Sequence, residues 1–421
     1  MQRPVFLPAA SIVFFLCGCP GGDGDSAGQD TTSGGGGILP PVSSDPGASS
    51  TSGPEPTGGP ATGDAGTASD GDTAEDYCDH EVPVVDPVVP RVMLVLDKSG
   101  SMVAEGQTSE PGELLDGYWD HDGDPNTPEV TRWMSLHSVV ESMVQSLDEV
   151  IHFGAVLFPS LTAKGAYNLS ACPVDPEPLV PIGPGAGAAI LAALPPADTT
   201  TIAGGTPATA GMLVAIDELQ SLQDDEPKFI ILVTDGAANC KMDTEPPDSF
   251  EDYDDLLPLT VADALTKGFK TFVIGIDIQD VTSPVAVDGS PDNTNTYEKL
   301  NEIAELGGTA RPGAEKFYNA VNQIELQAAL MEIIGETLSC TVKLGDPLHS
   351  SLYIELVQIG ADGDPAQQNY PGYDTQVKDC ATESGWQYTS PARDEIVLCG
   401  AACDYYKATG VINIEFGCSV G

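Results

Sequence analysis

Val92-Met93-Leu94-Val95-Leu96-Asp97-Lys98-Ser99-Gly100-Ser101 runs five apolar residues without a break into a carboxylate and two hydroxyls. An unbroken apolar run of this length reads as a strand covered on both faces, as in a parallel sheet. The D-x-S-x-S that closes it spaces Asp97, Ser99 and Ser101 two apart on a turn, so hard oxygen ligands can converge on one spot. A Mg²⁺ ion asks for such oxygens in near-octahedral array, with the remaining positions left to water or a ligand. The plainer reading also stands, because Ser or Asp after a strand commonly hydrogen-bonds its own backbone.

Two further segments bear on the choice. Phe229-Ile230-Ile231-Leu232-Val233 is a second apolar run, and it ends in Thr234-Asp235-Gly236. Between the two runs, Gly204-Gly205-Thr206-Pro207 opens a helical stretch from Ala208 to Leu222. Open parallel sheets bind ligands at the carboxyl ends of strands, beside a topological switch point. Asp97, Ser99, Ser101, Thr206 and Asp235 are all expected there. Thr206 before Pro207 equally suits an N-cap followed by proline at the first helical position.

In this order the three segments resemble the von Willebrand factor type A domain and its metal-ion-dependent adhesion site, over roughly residues 90–338. The resemblance implies that Ser99, Ser101 and Thr206 hold Mg²⁺ or Mn²⁺ directly. It also implies that Asp97 and Asp235 act largely through water, and that a carboxylate from a protein ligand takes the last position.

The rest of the chain is consistent with an α/β class. Thr131 to Leu147 predicts a helix, with Trp133, Leu136, Val140, Met143 and Leu147 as its buried stripe. Val150–Phe158 and Thr271–Ile276 read as further strands, and Thr260–Lys267, Glu298–Leu306 and Ile324–Leu338 as helices. Gly268 suits the left-handed position that ends the first of these. Apolar strands separated by amphipathic helices predict a doubly wound, mostly parallel sheet over residues 86–339. After Cys340 the runs are short: Thr341–Leu344, Leu352–Ile359, Gly385–Tyr388, Glu395–Cys399 and Val411–Phe416. They predict a small disulfide-rich antiparallel β domain over 340–421. Strict alternation there would put Tyr353, Glu355 and Val357 on one face, opposite Ile354, Leu356 and Gln358. This part resembles the cysteine-bearing extension of bacterial lipoproteins that carry an A-type domain.

The chain of 421 residues has 64 acidic and 16 basic side chains, a formal net charge of −48, and no Lys or Arg between Arg3 and Arg91. Such a surface repels nucleic acid and anionic lipid headgroups. Residues 1–18 read as a secretory signal, with Arg3 followed by an apolar stretch too short to span a bilayer. Leu16-Cys17-Gly18-Cys19 resembles the bacterial lipobox, which implies lipidation of Cys19 and an outer-membrane lipoprotein; ordinary signal cleavage is the rival. The membrane is then met only through that anchor. Residues 19–85 predict a tether, whose Gly/Ser/Thr/Pro/Asp-rich stretch from Pro20 to about Tyr77 has a root-mean-square reach of about 40–45 Å.

Eight cysteines follow Cys19: Cys78, Cys172, Cys240, Cys340, Cys380, Cys399, Cys403 and Cys418. An even number in an exported chain predicts disulfides. Cys172 and Cys240, on loops after strands near the metal face, are one expected pair. Cys380 and Cys399, in a hairpin of the Trp386 and Ile396 strands, are another. Asp120, Asp122, Asp124 and Asn126 alternate as calcium ligands do, although Gly123 and Pro125 depart from the EF-hand order; an exposed acidic loop is the alternative. No H-E-x-x-H and no histidine within the metal motifs supplies hydrolytic machinery, and Gly24-Asp25-Ser26-Ala27-Gly28 matches G-x-S-x-G only within the tether, with no strand before it to make a nucleophile elbow, so a binding module is expected rather than an enzyme. A structural envelope protein whose metal ties loops together is the other class.

Overall fold

The computed structural model describes residues 86–103, 117–166, 168–241, 244–345, 347–350, 352–359, 375–409 and 412–418. In chain order the strands begin with β1 (Asp86–Pro87), β2 (Arg91–Asp97), β3 (Tyr118–Trp119), β4 (Val130–Thr131), β5 (His152–Phe158), β6 (Val180–Gly183) and β7 (Lys228–Thr234). They continue with β8 (Lys270–Ile276), β9 (Tyr318–Ala320), β10 (Thr341–Lys343), β11 (Leu352–Ile359), β12 (Gly385–Tyr388), β13 (Glu395–Cys399) and β14 (Ile412–Cys418). The helices are α1 (Arg132–Leu147), α2 (Gly187–Ala193), α3 (Ala208–Ser221), α4 (Asp248–Glu251), α5 (Leu256–Thr266), α6 (Thr296–Leu306), α7 (Gln323–Thr337) and α8 (Ala401–Thr409). The predicted signal, the Cys19 acceptor, the tether and Cys78 lie outside the described residues.

Six strands form the main sheet in the order β6-β5-β2-β7-β8-β9. All neighbours are parallel except β6, which runs antiparallel to β5 at one edge. Alternate side chains of β2 enter two separate cores. Val92, Leu94 and Leu96 pack with Leu136 and Val140 of α1, Ile190 of α2 and Ile333 of α7. Met93 and Val95 pack on the other face with Met212 of α3, Val261 of α5 and Ile303 of α6. Helices on both faces explain why the central strands are apolar throughout. The predicted stripe of α1 is buried at all five positions. Gly268 takes the left-handed φ of +90° after α5.

The chain leaves β2 toward β5 and leaves β7 toward β8, in opposite directions. The carboxyl ends of these adjacent strands therefore open a crevice at the switch point. Two edge strands, β6 and β9, and the short helix α2 are not marked in the sequence, since each is too short to show a hydrophobic period.

The C-terminal part has its own core, including Val342, Trp386, Ile396, Leu398 and Tyr406. Its sheet runs β1-β10-β13-β12, all antiparallel, beside a β11-β14 ribbon. One strand crosses the boundary read at 339/340: β1, which precedes the A-type region in sequence, pairs with β10. The alternation expected along β11 is broken. A register shift between Ile354 and Leu356 sends Val357 inward, so Leu352, Ile354, Val357 and Ile359 are buried while Tyr353 and Glu355 are exposed. One extra residue in a bulge reverses the facing of all that follow it. Helix α8 was not foreseen either; its Ala402 and Tyr406, one turn apart, fill the small core.

Both expected disulfides are formed, Cys172–Cys240 with Cα atoms 5.7 Å apart and Cys380–Cys399 at 4.9 Å. A third, Cys340–Cys403, joins the residue before β10 to α8 at a Cα separation of 5.4 Å. Among the described residues, no helix is long and apolar enough to cross a membrane.

Candidate metal centre

Asp97 ends β2 with no solvent exposure. Its Oδ1 accepts the Ser99 N–H at 2.7 Å, and its Oδ2 accepts the Thr234 hydroxyl at 2.6 Å. The first contact is the expected turn bond, but the second reaches across to β7 and fixes the carboxylate between the two strands. The turn continues into a 3-10 segment, Gly100–Met102. Ser101 Oγ donates to Asp235 Oδ1 at 2.8 Å, and Ser99 Oγ lies 2.8 Å from Ser101 Oγ. With the Ser101 proton directed at Asp235, Ser99 is the donor in that pair. A single chain of oxygens thus joins the two motifs.

Thr206 arrives on a third segment. The Gly100 N–H donates to Gly204 O at 3.0 Å, and the Gly205 N–H to Ala171 O at 3.0 Å. Asn239 holds Thr206 reciprocally: its Oδ1 takes the Thr206 N–H at 2.6 Å, and its own N–H reaches Thr206 O at 3.1 Å. Close approach explains the glycines. A Cβ on Gly204 would meet Pro159 Cγ at 2.6 Å and Ala171 O at 2.7 Å, and one on Gly205 would meet Cys240 Sγ at 2.7 Å. The N-cap reading of Thr206 does not hold. Pro207 occupies the cap of α3 with no side-chain cap bond, so the Thr206 hydroxyl is not spent on the helix.

Ser99, Ser101, Thr206 and Asp235 line one cavity of about 610 Å³, with Asp97 behind its floor. Four of the five sequence-predicted residues are therefore brought together on the cavity lining. The sequence reading missed three partners. Arg132, the first residue of α1, donates to Asp235 Oδ2 at 3.2 Å and to Asp277 Oδ2 at 2.9 Å. Asp277 follows β8 with a left-handed φ of 55°. Thr234 is the third, its hydroxyl reaching Asp97 from the neighbouring strand. The rule that found Asp97 and Asp235, an acid at the carboxyl end of an apolar strand, applies equally to Asp277. Arg132 lies far from every motif in sequence, and only its place at a helix N-terminus, where a cation is disfavoured, marks it.

The charges are finely set. Burial first, then the Asp235 charge, push the Asp97 carboxyl from its ordinary 3.8 up to about 7, against the hydrogen bonds from Thr234 and Ser99. Burial works against the Arg132 charge, yet Asp235 and Asp277 more than offset it and raise its hold on its proton. Lys98, whose Nζ donates to Ala203 O at 3.3 Å, is pulled down by burial, with Asp97 opposing.

These residues fit a hard divalent cation. The donors are carboxylate and hydroxyl oxygens without nitrogen or sulfur, as Mg²⁺ and Mn²⁺ prefer. Two buried carboxylates face each other's charge, and among the described residues the guanidinium in contact, that of Arg132, touches Asp235 and not Asp97. A cation relieves that arrangement.

The acidic loop at 120–126 gives no comparable support. Asp120, Asp122 and Asp124 accept the N–H groups of Gly123, Asp124 and Asn126 at 2.8, 3.0 and 3.0 Å, as Asx turns do. Among the described residues, no group of three or more His, Cys, Asp or Glu side chains is gathered as metal ligands.

Neither a family model nor a curated protein matches the chain. Among solved structures it is similar to the conserved hypothetical protein BatB from Bacteroides thetaiotaomicron, at 17% identity over 59% of this chain and 98% of that one, with a TM-score of 0.35. It is also similar to the pilus adhesin SpaC from Lactobacillus rhamnosus GG, at 15% identity, covering 75% of this chain and 37% of SpaC, with a TM-score of 0.40. A third is proximal thread matrix protein 1 from the mussel byssus, with a zinc-occupied MIDAS motif, at 13% identity over 61% and 50% of the two chains and a TM-score of 0.35. Likenesses this slight assign no property to the chain.

Proposed function

We propose that the chain is a binding module of the von Willebrand factor type A kind, whose cavity floor takes Mg²⁺ or Mn²⁺ and through it a carboxylate of a protein ligand. The observation that carries the reading is the convergence of Asp97, Ser99, Ser101, Thr206 and Asp235, from three separate segments, on one open cavity. Ser99, Ser101 and Thr206 would hold the ion, with Asp97 and Asp235 supplying the negative charge. When bound, the ion would offer a Lewis-acidic position to an external carboxylate. Thr234 and the Ser99 N–H keep the Asp97 oxygens fixed, and Asn239 keeps Thr206 in place.

We assign no enzymatic step. No histidine lines the cavity among the described residues, and serine hydroxyls polarise an ion weakly. We further propose export to the cell envelope through a lipid on Cys19, with residues 19–85 as the tether; this rests on the lipobox-like Leu16-Cys17-Gly18-Cys19. Cys19→Ser should release the protein from membranes, and a membrane-bound mutant would refute the anchor.

Titration calorimetry with Mg²⁺ and Mn²⁺ tests the site. Asp97→Ala and Asp235→Ala should abolish binding, and Thr206→Ala should weaken it, while circular dichroism shows all three metal-free proteins folded. Unchanged affinity in Asp97→Ala would remove the basis of the reading. Collapse of the parent fold on metal removal would favour a structural ion that ties loops together.

A further inference from the structure

Helix α4 has only four residues, yet its last two, Phe250 and Glu251, hold two separate segments beside the candidate metal site. Phe250 packs with Ala171 and Cys240 against the segment that carries Thr206, where a Cβ on Gly205 would meet its Cε1 at 3.2 Å. Glu251 holds the loop between β8 and α6. Its backbone O accepts the Asp292 N–H at 2.6 Å, and its Oε1 accepts the Gly289 N–H at 3.1 Å, so one residue receives two amides of that loop.

The line of contacts continues to the cavity floor. Gly289 O accepts Asn239 Nδ2–H at 2.7 Å, and Asn239 Oδ1 accepts the Thr206 N–H at 2.6 Å. Gly289 takes a left-handed φ of +89°, which a side chain would strain. Thr206 thus stands at the end of three hydrogen bonds that begin at the Glu251 carboxylate, 45 positions away in sequence.

A carboxylate is a costly group to place there, since Glu251 is 7% exposed. Burial first, then the charges of Asp288 and Asp292, raise its hold on a proton, while the Gly289 and Asp288 N–H groups act against that. What the charge contributes is a firmer anchor, because an ionised acceptor makes a hydrogen bond roughly twice as strong as a neutral one. We propose that Glu251 is a positioning residue of the metal centre, setting Thr206 through Gly289 and Asn239. The order of the 288–292 segment and the affinity for the ion are thereby linked. The proposal rests on the metal-site reading above.

The test uses the full chain. Electron paramagnetic resonance gives Mn²⁺ affinity, circular dichroism checks that each variant is folded, and hydrogen exchange of the Thr206 amide, measured without metal, reads its position directly. Glu251→Ala should weaken Mn²⁺ binding about tenfold, the effect of losing roughly one net hydrogen bond, and should speed exchange at Thr206. Glu251→Gln keeps an uncharged acceptor and should stay within about threefold of the parent. Asn239→Ala should also weaken binding about tenfold. The Glu251→Ala, Asn239→Ala pair should then be little weaker than either alone, because both act along one line, whereas a Glu251 that merely supports the fold would multiply the losses. Unchanged Mn²⁺ affinity in Glu251→Ala, multiplied losses in the pair, or unchanged Thr206 exchange would overturn the positioning role and leave the metal reading standing. If Asn239→Ala does not fold, Thr206 exchange in Glu251→Ala decides the matter. Failure of the parent protein to bind Mn²⁺ would overturn the metal reading, and the role of Glu251 at that centre with it.

Discussion

Replacing Cys172 and Cys240 together by alanine should cost the fold stability and the metal site affinity, by separable amounts. The bond closes a sequence separation of 68 residues, for which the chain-entropy model gives about 4 kcal/mol at 25 °C. The effect on the site follows from the neighbours of the two cysteines. Ala171, next to Cys172, accepts the Gly205 N–H, and Asn239, next to Cys240, holds Thr206 through two hydrogen bonds. The disulfide thus ties together the two loops that clamp the Gly204–Thr206 segment, within a small cluster of Ala171, Cys240 and Phe250. Loosening it should weaken Mn²⁺ binding about tenfold, equivalent to about 1.4 kcal/mol, roughly one net hydrogen bond. Urea unfolding gives the first quantity, and Mn²⁺ titration of the still-folded variant gives the second. The Cys380→Ala, Cys399→Ala variant is the control. Its separation of 19 predicts a loss of about 3 kcal/mol, with Mn²⁺ affinity untouched because the bond lies in the C-terminal part, at the end of β13. Unchanged Mn²⁺ affinity in the first variant, despite the expected loss of stability, would refute the clamp.

The metal-free protein should lose stability as pH rises from about 4 to about 7. Folded Asp97 keeps a proton that the unfolded chain has released across that window, and the gap from 3.8 to about 7 sets a ceiling of about 4 kcal/mol. Asp97→Asn should flatten that dependence and make the metal-free protein more stable than its parent at pH 8; an unchanged slope in thermal melts would refute this. Arg132→Gln removes the guanidinium 3.2 Å from Asp235 and should tighten Mn²⁺ binding about tenfold, while Arg132→Lys should not. Weaker binding in Arg132→Gln would mean that the guanidinium orients Asp235 for the ion. Gly205→Ala drives a Cβ against Cys240 Sγ and, at 2.8 Å, Asn239 Oδ1, so it should cost about 1–3 kcal/mol in urea unfolding and weaken Mn²⁺ binding. Full stability in that variant would show the segment to be looser than its contacts indicate.

The apolar runs at 92–96, 229–233 and 271–276 specified the parallel sheet, because a strand buried on both faces must be apolar at every position. The residues after the first two runs, with Gly204-Gly205-Thr206, named the oxygen donors of the candidate site. Strand order at a switch point then brings those ends side by side. The Cys172–Cys240 and Cys380–Cys399 pairs were legible for a similar reason, since each followed from where strands end. What depended on a single residue in space was not legible. The extra residue at the β11 bulge turned Val357 inward, and nothing local in Leu352–Ile359 announces it. The same holds for Arg132, which reaches Asp235 and Asp277 across 103 and 145 positions of sequence. Strand burial and turn chemistry act on neighbours along the chain and leave a pattern there. A salt bridge between the start of α1 and the ends of β7 and β8 exists only once packing has brought them together, so only the tertiary structure could decide it.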